Sequence, residues 1–458
     1  MDRKEALTKS YTILGAGRSG IGIAIYLKNH GANVFLSEAL PKEKLLFFDE
    51  DMLRNNGVEY EYGGHSEKVY ENEIVIKSPG IPLEAEIIKN LQNRGKKIIG
   101  EVEIASIFCD APVIAITGTN GKTTTTVLTG EIFKNAGINT KVCGNVGLAF
   151  SEVLDDISNK SIVVLETSSF QLESTESFKP GVAVIINITP DHIDWHGSFE
   201  NYVTSKLKIN KNQNSGDTIA INYDDETLQG LISQLNGRVC IFSLKGSEIR
   251  TKAVAGTYLE NGKIFYFDNE KGINEEIIET EEIFIRGRHN IYNSSGAIIA
   301  SKAFGLENEV IVETLRNFKG VEHRIEPVRT IDGVTYYNDS KATNYDSTYV
   351  ALESFTEGIV LIMGGKKGDD NFDKVKEFID KRVLKIFAIG QSKDVIAEYF
   401  SKSKEVEKCE TLEEAVQKAR KFAKPGNVVL FSPAYKSFDM FDNFEHRGEE
   451  FKKFVNKL

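Results

Sequence analysis

"AITGTNGKTTTT", residues 115–126, carries the Gly-Lys-Thr of a phosphate-binding turn without its usual spelling. The pattern GxxxxGK[ST] asks for a glycine five residues before Gly121, and that position is Ile116. The run before it, "PVIAIT" from 112, is an apolar strand, and "TTTTVLTGEIFKNAG" reads as a helix closed by Gly137. Strand, turn and helix therefore stand in the order a phosphate cradle requires, and the missing glycine only shortens the loop. Backbone N–H groups of Gly118, Thr119, Asn120 and Gly121, continued by Thr124, can form the nest. Lys122 can reach the β- and γ-phosphates and Thr123 can ligate magnesium, so ATP is the expected guest.

Outward from this unit, short apolar runs alternate with longer helical patterns, the signature of α/β domains with parallel sheets. One set of strands is read at "YTIL" (11), "NVFLS" (33) and "EIVIKS" (73). A second follows at "PVIAIT" (112), "SIVVLE" (161), "VAVIIN" (182) and "DTIAIN" (217), and a third at "VTYYN" (334), "GIVLIMGG" (358), "LKIFAIG" (384) and "NVVLFS" (427). A length of 458 residues admits about three domains. "CDAP" at 109 and "NFKGVEHRIEP" at 317 mark the boundaries. The expected organisation is a Rossmann-like N-terminal domain over 1–110, a central P-loop ATPase-type α/β domain over 111–318 and a C-terminal Rossmann-like α/β domain over 319–458. Residues 239–286 break the rhythm with "GTYLENGKIFYFDNEKG", which predicts a hairpin insertion or sheet extension turning at "ENGK".

Composition narrows the partners. A net charge of −11 repels polyanions, which argues against nucleic acid or an acidic membrane surface while leaving room for small anions held by local basic groups. Cys109, Cys143, Cys240 and Cys409 show no CxxC spacing, as expected of reduced thiols rather than a zinc knuckle or disulfide framework. "MDRKEALTKS" carries charge where a signal peptide needs an apolar core, and no run of 18 apolar residues occurs. The expectation is a cytoplasmic protein without membrane insertion, and a monomer.

A second glycine-rich turn lies a hundred residues upstream. "YTILGAGRSGIG" sets Gly15, Gly17 and Gly20 after a strand and at the head of a helix, where unpaired N–H groups welcome a diphosphate. Glu38, about 20 residues on at the end of the next strand, matches the ribose-binding acid of dinucleotide enzymes. Read alone, this favours NAD, and an NAD-dependent oxidoreductase with an appended P-loop ATPase domain is one rival. A non-catalytic P-loop switch is another.

The spelling "GTNGKTTT" resembles the phosphate loop of the Mur ligases and their folylpolyglutamate synthetase relatives, which join an amino acid to a carboxylate at the expense of ATP. Further stretches resemble the same family: "ETSSFQL" (166), "NITPDHIDWHGSFENYVTSKLKI" (187), "RHNIYNSSGA" (288), "EHRIE" (322), "NDSKATN" (338) and "SPAYKSFDMFDNFEHRGEEF" (432). Together with "GAGRSG" and "SPGI" (78), the last two are most similar to the family members that add D-glutamate to UDP-N-acetylmuramoyl-L-alanine in peptidoglycan precursor synthesis. The resemblance runs in order through all three domains. It implies that the first turn, through Gly17, Arg18, Ser19 and Gly20 with Gly80, faces the uridine diphosphate of a nucleotide sugar rather than NAD.

The resemblance also implies roles residue by residue. Glu166 would ligate magnesium beside Thr123, His192 would help hold a second magnesium or its waters, and Lys206, carbamylated by carbon dioxide, would become an anionic oxygen ligand of the kind hard cations prefer. Without the resemblance, Lys206 reads as a solvated lysine on an amphipathic helix, with Lys208 the nearby alternative. The spacing of His192 and His196 also invites zinc, which the absence of HExxH disfavours. Asn145 in "GNVG" would lie near the sugar-peptide, Asn290 and Arg324 near the adenine and phosphates, and Asp339 at the ribose. Lys341, Thr343, Ser437 and Phe444 would face D-glutamate, with Lys367 or Lys366 in "GGKKGDDNF". Phe438, Phe441 and Phe444, three apart, read from spacing as the core face of a helix. Where relatives carry an arginine for the uracil side, this chain has "SEALPK".

Overall fold

The computed structural model describes residues 1–45, 48–145, 147–356, 358–368 and 371–458. Three sheets account for the three sets of apolar runs. The first is five-stranded and wholly parallel, with chain order 3-2-1-4-5: Glu59–Tyr62, Asn33–Glu38, Ser10–Leu14, Ile74–Lys77 and Lys97–Gly100. The order reverses at Ser10–Leu14, which opens a crevice beyond the carboxyl ends of the strands, where open α/β sheets bind ligands. "GAGRSG" and "SPGI" leave the two strands that flank this point.

The second sheet has nine strands. Seven are parallel, and Val113–Thr117 lies between Ile162–Glu166 and Val182–Ile185, with every residue of these three strands buried. Burial on both faces explains why they read as continuous apolar runs rather than alternating ones. The break over 239–286 is a sheet extension: Ala255–Glu260 pairs antiparallel with Lys263–Asp268, turning at Asn261 and Gly262, and Ile273–Glu279 completes the edge. The third sheet has six strands, parallel except for the edge Glu326–Ile331, which pairs antiparallel with Val334–Asn338.

The first two sheets do not separate as compact bodies. One unit spans Met1–Glu282 with Tyr292–Arg316, and a second spans Ile283–Ile291 with Asn317–Leu458. Within the first unit a single apolar cluster runs from Ile13 and Leu36 of the first sheet to Val163 and Ile219 of the second. Carboxylates pin the join. Glu103 accepts from the backbone N–H groups of Glu176, Ser177 and Phe178 at 2.9–3.1 Å, and Glu101 accepts from Ser151 N at 2.7 Å.

Three of the four cysteines are buried and all are free. Among the described residues no helix is long and apolar enough to cross a membrane.

Candidate active site

The phosphate loop follows from its neighbours. Helix Lys122–Asn135 begins at Gly121, which has φ +85° and no side chain with which to cap it, and a helix N-terminus at the end of a glycine turn is a favourable place for an anion. A Cβ at Gly121 would lie 2.3 Å from Asn293 Oδ1, so glycine is required twice over, by backbone conformation and by space. The shortened loop is braced by Asn187, whose Oδ1 accepts from Thr119 N at 3.0 Å and Asn120 N at 2.8 Å and whose Nδ2 donates to Asn120 O at 3.1 Å. Thr119 Oγ1 also lies 3.0 Å from the Tyr202 hydroxyl. Lys122 Nζ donates to the carbonyls of Gly118 at 2.9 Å and Thr119 at 2.8 Å. Thr123 and Thr124 are buried in the first turn.

Sheet register sets Ile116 beside Glu166, so the strand that feeds the loop delivers this carboxylate next to it. Glu166 is buried. Its Oε1 accepts from Asn145 Nδ2 at 2.8 Å, while Oε2 has no hydrogen-bond partner among the described residues. A buried carboxylate oxygen without a donor is costly unless something positive completes it.

Lys206 departs from the solvated reading of its helix. It is 1% exposed, and its Nζ donates to Gly118 O at 2.7 Å, the carbonyl that Lys122 also uses. Burial pushes its pKa well below the ordinary value, as does the Lys122 charge, against the pull of Asp191 and Glu166. These four charged groups thus share one neighbourhood. Lys208 points elsewhere, donating to the backbone carbonyl of Glu173.

His192 and His196 sit in different surroundings. His192, in the left-handed region at φ 52°, is about half exposed beside Asp191 and near the Phe170 ring at 4.9 Å. His196 is buried, with Nε2 3.0 Å from Ser169 Oγ. Among the described residues one group of three potential metal-ligating side chains converges, Glu322, His323 and Glu449, and Lys452 already pairs with both glutamates.

At the first sheet, Glu38 is engaged by backbone amides. Its Oε2 accepts from Ala16 N at 2.7 Å and its Oε1 from Leu40 N at 2.9 Å, so the acid braces the glycine turn itself. A Cβ at Gly20 would come within 2.0 Å of Gly15 O, which accounts for that glycine, whereas Gly17 faces open space. Arg18 donates to the Gly147 carbonyl of the "GNVG" turn, and Ser19 follows it in the first turn of helix Arg18–Asn29. Gly80 lies in the turn that ties back through Ser78 N to Leu14 O at 2.8 Å.

In the second unit, Asp339 is buried, accepting from Ser432 Oγ at 2.7 Å and Ile325 N at 3.2 Å, and burial pushes its pKa up to about 7 against the opposing Arg324 charge. Lys341 N donates to His323 O at 3.0 Å, its Nζ lies 5.7 Å from the centre of the Phe444 ring, and Thr343 N donates to Lys341 O at 2.9 Å. Asn290 Nδ2 donates to Arg286 O at 2.7 Å. Ser437 is buried, and Lys366 and Lys367 are exposed just after Lys366 N bonds Lys436 O at 2.8 Å. The aromatic triplet is not a helical core face. Helix Phe444–Asn456 begins only at its third member, and Phe438 is 59% exposed.

Sequence reasoning missed the Asn187 brace and Arg447. Arg447 is 1% exposed, donates to Ser340 O at 2.7 Å, Ser340 Oγ at 3.0 Å and Tyr435 O at 3.0 Å, and is pushed down to about 10 by burial. Both lie inside quoted motifs, but nothing in a linear pattern says that a polar side chain turns inward.

The shortened loop, the buried carboxylate and the buried lysine thus gather at the end of strand Val113–Thr117, and comparison with known proteins gives the family. Family models match in order at residues 11–87 (MurD N-terminal domain), 116–301 (Mur ligase middle domain) and 323–435 (Mur ligase, glutamate ligase domain). The chain belongs to the Mur ligase family. It is 40% identical over 453 residues to the UDP-N-acetylmuramoylalanine--D-glutamate ligase of Caldicellulosiruptor bescii, covering 98% of each chain. It is 41% identical over 468 residues to the enzyme of that name from Caldanaerobacter subterraneus subsp. tengcongensis, covering 100% of each. Its fold matches the crystal structure of MurF ligase from Thermotoga maritima in complex with ADP, with a TM-score of 0.60, 17% identity and 99% of each chain covered.

Proposed function

We infer that this protein is an ATP-dependent amide ligase that adds D-glutamate to UDP-N-acetylmuramoyl-L-alanine in peptidoglycan precursor synthesis. The observation that carries the reading is full-length likeness, at about 40% identity, to relatives bearing that name, on a chain whose phosphate loop and Glu166 are built for a nucleoside triphosphate and a cation. An NAD-dependent dehydrogenase loses its motivating acid, because Glu38 is used by backbone amides.

The chemistry follows from a poor electrophile. A carboxylate resists attack by an amine at neutral pH, so a carboxylate oxygen of the substrate first attacks the γ-phosphorus of ATP. The bond from that phosphorus to the β,γ-bridging oxygen breaks and ADP leaves. The amine of D-glutamate then attacks the acyl carbon, inorganic phosphate departs with its electron pair, and the amine gives up a proton. The first step gathers several anions, so positioning and charge neutralisation carry the catalysis.

Gly118, Thr119, Asn120, Gly121 and Thr124 are assigned to the phosphates, with Lys122 leaving its loop carbonyls to bind the terminal phosphoryl group. The partnerless Oε2 of Glu166 fits a divalent cation, and Thr123, His192 and Lys206 are the further candidates to hold magnesium. Magnesium, when bound, neutralises phosphate oxygens. A buried lysine whose amine is readily neutral is suited to react with carbon dioxide, which supports a carbamate at Lys206. Asn290, Arg324 and Asp339 are assigned to the nucleoside and phosphates of ATP, and Lys341, Thr343, Lys367, Ser437 and Phe444 to D-glutamate. Gly17, Arg18, Ser19, Gly20 and Gly80 are assigned to the nucleotide sugar, with Asn145 at its peptide end. Domain limits of 1–110, 111–318 and 319–458, a monomeric state and a cytoplasmic location belong to the same reading.

Phosphate release with UDP-N-acetylmuramoyl-L-alanine, measured with and without D-glutamate, tests it. Release that requires both substrates is expected, and ATP hydrolysis indifferent to both would point to a nucleotide switch instead.

A further inference from the structure

A buried charge that this mechanism does not use lies beneath the first glycine turn. Lys77 ends strand Ile74–Lys77 of the first sheet, where neighbouring residues are apolar, yet it is 1% exposed. A lysine can be interred only if its charge is given something to do, since a leucine or methionine would pack there without the desolvation cost. Its Nζ donates to Ile81 O at 3.0 Å, closing the turn 78–81 from beneath. Two further bonds fasten that turn to the first glycine turn: Ser78 N donates to Leu14 O at 2.8 Å and Ser78 Oγ to Gly15 O at 3.2 Å. The packing is so close that a Cβ at Gly15 would stand 2.6 Å from Ser78 Oγ and 3.6 Å from Ile81 Cδ1. The two turns are therefore one object, and Lys77 is its inner bolt.

On the other side, the charged groups acting on Lys77 are Glu173 and Lys208 of the second sheet's domain. Burial nevertheless dominates and pushes its pKa down to about 8.

We propose that Lys77 is a positioning residue for the nucleotide sugar, holding the turn 78–81 against Gly15–Gly20 so that both turns face the diphosphate in fixed register. This rests on the assignment of those turns to the nucleotide sugar. Lys77 touches no reacting atom, so it contributes to binding of one substrate and not to the chemical step.

The test compares wild type with Lys77→Met, which keeps the stem and removes the donor, and Lys77→Gln, which keeps a shorter donor. KM is measured for each of the three substrates, and hydrogen exchange is followed in peptides covering 12–22 and 76–86. Lys77→Met is expected to raise KM for UDP-N-acetylmuramoyl-L-alanine by roughly ten- to a hundredfold, the range for loss of a hydrogen bond to a charged group. The KM values for ATP and D-glutamate and kcat should stay within about threefold, exchange in 76–86 should accelerate, and Lys77→Gln should fall between. An unchanged KM for the nucleotide sugar overturns the proposal, as do KM values that rise together or a failure of both variants to fold, since these assign Lys77 to stability alone. A wild-type enzyme whose phosphate release ignores the nucleotide sugar would overturn the functional reading instead, before any variant is compared.

Discussion

Lys206 and Glu38 are read alike from the chain, as polar residues at plausible motif positions, and the structure parts them. Lys206 turns inward to the Gly118 carbonyl, while Glu38 is consumed by the amides of Ala16 and Leu40. Helical spacing says which face a residue occupies but not what covers that face, so burial of a lysine is decided by the rest of the fold. At this scale two substitutions are informative. Lys122→Ala is expected to lower kcat by roughly a hundredfold or more, because it removes the cation that the proposed mechanism sets where phosphoryl charge develops; turnover at the wild-type rate in single-turnover assays would exclude that role. Glu166→Gln replaces the partnerless oxygen with an amide, and should raise the magnesium concentration needed for half-maximal activity by at least about tenfold, given the preference of hard cations for charged oxygen. A magnesium titration that superimposes on wild type would argue against cation binding there.

Elements were legible in proportion to their burial. The fully buried strands of the second sheet announced themselves as apolar runs, whereas Glu59–Tyr62 and Glu405–Lys408, short edge strands with half-exposed or exposed residues, have no such pattern. The loop and helix at Gly121 were readable because a left-handed turn before a helix leaves few residue choices. Gly121→Ala should therefore cost about 1–2 kcal/mol from the backbone alone, with more from the clash at Asn293; a melting temperature and an ATP affinity equal to wild type would contradict the geometry. The helix Glu101–Phe108 carries a pH dependence at its first residue. Burial pushes Glu101 up from 4.5 to about 7, so the folded state binds a proton that the unfolded state has released between those values. The stability this contributes is whole below about pH 4.5 and is lost as pH rises toward 7. Glu101→Gln, which escapes that loss, should melt several degrees above wild type at pH 8, with a gain of about 3 kcal/mol that vanishes below about pH 4.5. Equal melting curves at pH 8 would show that Glu101 ionises without penalty.

For the whole molecule, three sheets do not mean three independent bodies. The apolar cluster shared by the first two, with the Glu103 carboxylate across their join, predicts that calorimetry resolves two unfolding transitions and that residues 1–110 expressed alone expose apolar surface and aggregate. A third transition, or a soluble and cooperative 1–110 fragment, would refute this. The amino-acid sequence by itself determined the α/β class, the three sets of strands, the phosphate loop and the family, because these rest on local patterns: apolar runs, glycine-permitted turns and residues a few positions apart. Tertiary structure alone decided that Lys206 and Lys77 are buried, that Glu166 keeps an oxygen without a partner, and that two sheets share one core. Those properties depend on which distant segments exclude water from a given atom, and no spacing along the chain encodes that.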